Sequence, residues 1–243
     1  MPVPYPMQTT MTPERFQKLR TALDRRQPDL ALLTDQVHKA HNLAAILRTC
    51  DAVGIDTVHL SQSPVRVRQL RRRSMGSNRW VNVATHNSID DGIRHFRERH
   101  FKVYAAHFSE RAKPYHELDF TMPCVLLMGA EKYGVSETGA ELADEHVIIP
   151  MQGMVESYNV SVAAAIILAE AMRQREREGL YRCSRLEQEC YHKTLFRWCY
   201  PELARYCDER QTAYPAIDDN GHLVDPSDWY ESIRQSSRKH RKS

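Results

Sequence analysis

No stretch of the sequence is long and apolar enough to cross a membrane. The most apolar run, residues 160–172, contains Ser161 and Glu170 and is well short of the roughly 20 residues that a spanning helix needs. The opening Met1-Pro-Val-Pro-Tyr-Pro has no charged segment followed by an apolar one, so it does not read as a secretion signal. A soluble cytoplasmic protein is expected. The six cysteines, Cys50, Cys124, Cys183, Cys190, Cys199 and Cys207, form no C-x-x-C pair. Four of them lie toward the C-terminus with His192 nearby, but their gaps match no zinc pattern, so no metal is expected and the thiols should be reduced. No G-x-G-x-x-G occurs, which argues against a dinucleotide-binding fold of that type. Gly129 and Gly134 have the glycine spacing of a phosphate-binding loop. Val135 and Ser136 follow where Lys and Ser or Thr are required. Without a lysine to reach the phosphates, a P-loop nucleotidase is rejected. The net charge is only +3, so a nucleic-acid partner would have to be met by local patches.

What is present fits a globular core, with 42% hydrophobic and 27% charged residues. Short apolar runs at 30–33, 57–60, 80–84, 101–108, 124–128 and 146–149 read as strands. Helical patterns run from His41-Asn42 to Gly54, then over 89–99, 137–143 and 159–177. This alternation predicts an α/β fold with a mostly parallel sheet covered by helices on both faces. Thr12-Pro13-Glu14 opens an earlier helix as cap, first-turn proline and first-turn acid. There is no internal repeat. We expect three segments: a basic helical extension over 1–27, a core over 28–179, and a helical extension over 180–243 ending in the basic tail 238–243. Ligands of open parallel sheets bind beyond the carboxyl ends of the strands. That puts the loops 129–136 and 150–159 where a ligand should sit.

Three motifs stand out. The first is His41-Asn42-Leu-Ala-Ala-Ile-Leu-Arg48, in which Asn42 is a good N-cap. Arg48, among apolar neighbours, should either pair with a carboxylate such as Asp51 or face an anion. The second is Leu126-Leu-Met-Gly-Ala-Glu131-Lys-Tyr-Gly. The third runs from Ile148-Ile-Pro-Met through Ser157-Tyr-Asn159-Val-Ser. In this order and spacing they resemble the SPOUT methyltransferases, most closely the TrmH branch that modifies tRNA guanosines. The resemblance covers about residues 14–181, including Arg25-Arg-Gln-Pro-Asp-Leu and Met75-Gly-Ser-Asn-Arg-Trp80.

The resemblance implies a trefoil-knotted sheet, a homodimer and S-adenosylmethionine as cofactor. Carried over by position, the cofactor pocket comprises Ala106, Met128, Gly129, Glu131, Ile149, Met151, Ser157, Tyr158 and Asn159. Two positions depart from the family pattern: Tyr158 stands where a leucine is usual, and Ala106 where a small polar residue is frequent. The catalytic set is Arg48, Asn42, Glu131, Ser157 and Asn159. The implied reaction is 2′-O-methylation of a tRNA guanosine, expected at position 18 of the D-loop. The family assigns the base role to Arg48, yet a guanidinium stays protonated in proteins. Anion binding is therefore the role its chemistry favours. Arginine runs supply a surface for tRNA: Arg15, Lys18, Arg25 and Arg26, then Arg66, Arg68, Arg71, Arg72, Arg73 and Arg79, then Arg173, Arg175 and Arg177. Two alternatives stand beside this reading. One is action on ribosomal RNA or another tRNA position, the other a non-catalytic RNA-binding module of the same fold.

Overall fold

The computed structural model of the protein describes residues 11–61, 79–227, 229 and 231. The arginines at 66, 68, 71, 72 and 73, the segment 75–78 and the basic tail lie outside the described residues. The chain divides into two compact units, one spanning Arg25–Arg185 and the other combining Met1–Asp24 with Leu186–Ser243. The terminal extensions, expected as separate segments, thus belong to one unit.

The larger unit follows the predicted alternation. Its elements are β1 (Leu30–Asp35), α2 (Ala40–Ala52), β2 (Thr57–Ser61), β3 (Asn82–His86), α3 (Ile89–Arg97), β4 (Lys102–Ala106), β5 (Lys113–Pro114), β6 (Cys124–Met128), α4 (Glu137–Leu142), β7 (Glu145–Ile148) and α5 (Val160–Arg177). The strand order is β3-β2-β1-β6-β4-β7-β5, and each pairing is parallel. β1 and β6 are buried along their whole length, as interior strands with helices on both faces must be. Alternate residues serve opposite faces. Leu30, Leu32 and Leu126 join α2 and α5 in one layer. Ala31, Leu33 and Leu127 join α3 and α4 in the other.

Several boundaries moved. The strand expected at 80–84 lies at Asn82–His86, on an outer, partly exposed position of the sheet. The strand expected to run to Phe108 stops at Ala106; Phe108 is 85% exposed. The two-residue β5 was not anticipated. It contains a proline, which a strand at the sheet edge tolerates. Asn42 is not the cap of α2. Lys39 occupies that position, and Asn42 lies inside the first turn with its side chain buried.

Two arginines read from sequence as RNA contacts prove structural. Arg175 is fully buried and donates to Asp29 Oδ1 (2.6 Å), Gln27 Oε1 (3.1 Å) and the carbonyls of Phe120, Asp29 and Met122. Arg185 grips the same carboxylate at 2.6 and 2.8 Å. Burial pushes the Asp29 carboxyl up, but the two arginines outweigh it and hold it below the usual range. Arg26, 1% exposed, donates to Asp51 Oδ1 (2.6 Å) and to the carbonyls of Ile55 and Trp80. Each guanidinium is held by a partly buried carboxylate and by backbone carbonyls.

In the smaller unit, α1 (Pro13–Asp24), α6 (Gln188–Cys199) and α7 (Pro201–Arg210) enclose Phe16, Leu19, Leu23, Phe196 and Leu203. Thr12 Oγ accepts from the Arg15 N–H at 3.2 Å, so the helix start read from Thr12-Pro13-Glu14 is found. Tyr191 donates to Asp24 Oδ1 at 2.8 Å. All six cysteines are free thiols. No described helix is long and apolar enough to cross a membrane.

On the α3 side of the sheet, three histidine rings meet. His59 is buried on β2, with its Nδ1 2.8 Å from His86 Nε2, and the His95 ring lies 5.1 Å from His59 and 5.3 Å from His86. Burial, with His86, His95 and Arg99 nearby, pushes His59 down to about 3. Burial also lowers His86 and His95, with Asp91 and Glu98 opposing only weakly. With His59 neutral, the folded state binds fewer protons than the unfolded chain between the ordinary value of 6.5 and about 3. Stability therefore falls as pH drops through that window, by up to about 1.4 kcal/mol per pH unit from this ring. Urea midpoints measured between about pH 7.5 and pH 5 should decline, and His59→Leu should flatten the decline. An equal slope in that variant would refute the assignment.

Candidate active site

Because the strands are parallel, the loops after β1, β4, β6 and β7 all leave one edge of the sheet. The loop after β6 is the most tightly built. Ala130 and Gly134 exchange backbone hydrogen bonds at 2.9 and 2.8 Å, and Gly134 takes φ +68°, a left-handed conformation that favours glycine. At Gly129, a Cβ atom would stand 2.0 Å from Gly134 C and Val135 N; only glycine lets the backbone return so closely on itself. The end of the loop is anchored from the neighbouring strand. Asp35, 1% exposed at the end of β1, accepts from the Ser136 N–H at 2.8 Å, and Ser136 Oγ caps α4. Glu131, in the middle of the loop, makes an ion pair with Lys39 at the start of α2.

The loop after β7 is built loosely. Residues 152–159 are exposed throughout, Met154 at 99%. It is fixed at its end, where Asn159 Oδ1 accepts from the Ser161 N–H and hydroxyl at 2.9 and 2.6 Å and so caps α5. The Asn159 amide donates to Asn42 Oδ1 at 3.3 Å. Asn42 Nδ2 is buried and has no partner among the described residues. The structure therefore joins the three sequence motifs through two contacts, Asn159 to Asn42 and Glu131 to Lys39. Of the other residues carried over to the cofactor pocket, Met128 is buried, while Ala106, Ile149 and Met151 are half-buried at the same edge. Ser157 and Tyr158 are exposed just ahead of Asn159.

Arg48 departs from one expectation. It is exposed and does not pair with Asp51, whose carboxylate is held by Arg26. No hydrogen bond or ion pair joins it to a described residue, which leaves its guanidinium available to an anion. It lies about 9 Å along α2 from Asn42. Of the basic residues assigned to RNA, Arg15, Lys18 and Arg25 are exposed, and Arg173 is exposed but held by Glu170 at 2.7 and 2.6 Å. Arg72 lies outside the described residues. Sequence reasoning missed Lys39 and Asp35. A lysine at a helix start, where a capping side chain is usual, was the signal available for the first; the second carries no local signal.

Residues 29–169 match the SpoU rRNA methylase family, and residues 173–226 match the family described as SpoU rRNA methylase, C-terminal. The chain belongs to the SpoU methylase family. It is 41% identical to the tRNA (guanosine(18)-2′-O)-methyltransferase of Escherichia coli strain K12 over 226 residues, 92% of this chain and 99% of that one. The crystal structure of the A. aeolicus TrmH/SpoU tRNA modifying enzyme superposes with TM-score 0.71 at 37% identity, over 78% of this chain and 97% of that one. An AdoMet-bound rRNA methyltransferase from Sinorhizobium meliloti superposes with TM-score 0.55 at 31% identity, over 64% of this chain and 59% of that one. The α/β architecture expected from the sequence, a parallel sheet with helices on both faces, is the one observed, with seven strands.

The loop geometry gives a direct test. Gly129→Ala should lose about 2–4 kcal/mol of stability, because the added methyl meets backbone that cannot rotate away. Gly153→Ala, where nothing lies within 4 Å, should change stability by less than about 0.5 kcal/mol. Denaturant unfolding of the two variants compares them; similar losses would show that the loop opens freely.

Proposed function

We propose that this protein transfers the methyl group of S-adenosylmethionine to the ribose 2′-hydroxyl of a tRNA guanosine, at position 18. The observation that carries this reading is the junction of Asn42, Glu131 and Asn159 at one edge of a SpoU-family sheet. A relative that methylates guanosine 18 matches nearly its whole length, terminal extensions included.

The residues present fit the cofactor. Ala106, Met128 and Ile149 put apolar surface at the carboxyl ends of three strands, and Gly129 lets the main chain fold closely on itself there. A buried amide donor without a protein partner, such as Asn42 Nδ2, is a cost unless a ligand acceptor meets it. In this reading Ala106, Met128, Gly129, Glu131, Ile149, Met151, Ser157, Tyr158 and Asn159 hold the cofactor, which supplies an electrophilic methyl when bound. The work of the chain is position and charge. Asn42 and Asn159 orient each other, and with Ser157 they orient the ribose. Arg48 offers a fixed positive charge to an RNA phosphate and to the alkoxide that develops as the 2′-hydroxyl loses its proton. Arg15, Lys18, Arg25, Arg173 and Arg72 contact the tRNA backbone; Arg26 and Arg175, being buried, leave that set.

We extend the reading to a trefoil knot formed by the loops after β6 and β7, and to a homodimer. Support for the dimer comes from Met154, Val155, Tyr158 and Val162, which are 44–99% exposed along the loop after β7 and the first turn of α5. Apolar surface clustered in this way marks an interface.

Labelled methyl from S-adenosylmethionine should enter a tRNA transcript with guanosine at position 18 and yield an alkali-resistant linkage there, while an adenosine-18 transcript stays unlabelled. Labelling of ribosomal RNA instead, or of neither RNA, would overturn the proposal. Arg48→Ala should lower kcat/KM by about 100- to 1000-fold, and tRNA affinity should fall steeply as salt rises. Equal and complete loss in Arg48→Lys and Arg48→Ala, with tRNA affinity intact, would rule out simple phosphate neutralisation by Arg48.

A further inference from the structure

Lys39 stands where a helix does not favour it. It is the cap residue of α2, makes no side-chain capping bond, and no acidic residue follows in the first turn. A cation at a helix N-terminus faces the positive end of the peptide dipoles. The compensating charge comes from Glu131, in the loop after β6, whose carboxylate pairs with the Lys39 ammonium. The pair is asymmetric: the Glu131 side chain is 22% exposed and that of Lys39 60%. The Lys39 carbonyl also accepts the N–H of Asn42 at 3.1 Å and of Leu43 at 3.2 Å. One residue therefore grips the carboxylate of the glycine loop with its side chain and the Asn42 turn with its main chain.

We propose that Lys39 is a positioning residue of the site. It acts through Glu131, clamping the loop after β6 against the start of α2 so that the cofactor loop and Asn42 keep a fixed separation. The inference rests on the methyl-transfer reading above. It assigns Lys39 no contact with the reacting atoms. Because the pair is partly exposed, the clamp is weak and salt-sensitive, as such pairs are, and its effect falls on cofactor affinity before RNA affinity.

The test is a double-mutant cycle in the full-length protein, with S-adenosylmethionine affinity read by calorimetry and kinetics read with tRNA. Lys39→Gln should weaken cofactor binding about three- to fivefold, leave the KM for tRNA unchanged and leave the melting temperature unchanged. Lys39→Arg should restore affinity to within about twofold, since it keeps the charge. In a Glu131→Gln background, Lys39→Gln should add nothing, the coupling expected of residues in contact. Raising salt from about 0.05 to 0.5 M should shrink the gap between wild type and Lys39→Gln. Wild-type affinity in Lys39→Gln, or losses that multiply in the double variant, would overturn the proposal. The two readings fail differently: no uptake of the cofactor by the wild-type protein defeats the methyl-transfer reading itself. Uptake by the wild type with an indifferent Lys39→Gln defeats only the clamp.

Discussion

The position of β6 between β1 and β4, paired in parallel to both, is the constraint from which the site follows. Parallel pairing sends every strand out of the same edge. The glycine loop after β6 then emerges between the end of β1, which leads into α2, and the end of β4, beside which β7 leads into the third motif. Contacts between residues more than a hundred positions apart, such as Asn159 to Asn42 and Ser136 to Asp35, follow from that arrangement. The arrangement is pinned by the buried Arg175, with Arg185, on Asp29 just before β1, and by the buried Arg26 on Asp51 at the end of α2.

Around this scaffold, the edge carries features that a core built for stability alone would omit. Asp35 has one carboxylate oxygen bonded and the other buried without a partner; Asn42 Nδ2 and Thr34 Oγ are likewise buried and unpartnered. Each lies on β1 or on the helix that follows it. Buried groups without partners cost stability, and these three, though not the only such groups described, stand where a polar ligand of a parallel sheet would bind. The loop after β7 bears the complementary signature. It is anchored at Asn159 and otherwise exposed, so its conformation has little support from its own unit.

How much was legible in the sequence depended on where the decisive neighbour lies. The strand at 124–128 was read to the residue because it is wholly apolar and bounded by Pro123 and Gly129, both visible locally. The strand at Asn82–His86 was misplaced by two residues, since the Trp80 and Val81 that suggested it precede a polar outer strand. Asn42 was read as a cap because short polar residues at a helix start usually are; its actual partner, Asn159, is distant in sequence. Arg26 and Arg175 were grouped with RNA-binding arginines because sequence displays charge without showing the carboxylate that neutralises it. Asp29 and Asp51, which consume them, carry no marker of that role. The motifs themselves were legible, and so was the edge they would share, because strand polarity fixes it. The contacts that join them, Lys39 to Glu131 above all, needed coordinates.

The exposed state of Arg48 adds a cation without a described partner to the helix that carries Asn42. The guanidiniums of Arg26, Arg175 and Arg185, among others, are met by carboxylates, whereas Arg48, on the helix that carries Asn42, meets no described acceptor. An arginine in water loses little by lacking a partner, so stability alone neither requires nor forbids this. About 9 Å along α2 from Arg48, the edge holds an amide donor buried without an acceptor, and the loop that meets it there leaves Met154 and Val155 exposed. These are three different unmet demands, for an anion, for apolar cover and for a hydrogen-bond acceptor. In the proposed reading, RNA phosphate would supply the first, a second copy of the chain the second, and a bound cofactor or ribose the third. No single small ligand meets all of them, which is why a reading that combines RNA, a homodimer and S-adenosylmethionine accounts for this edge better than any one of those partners alone.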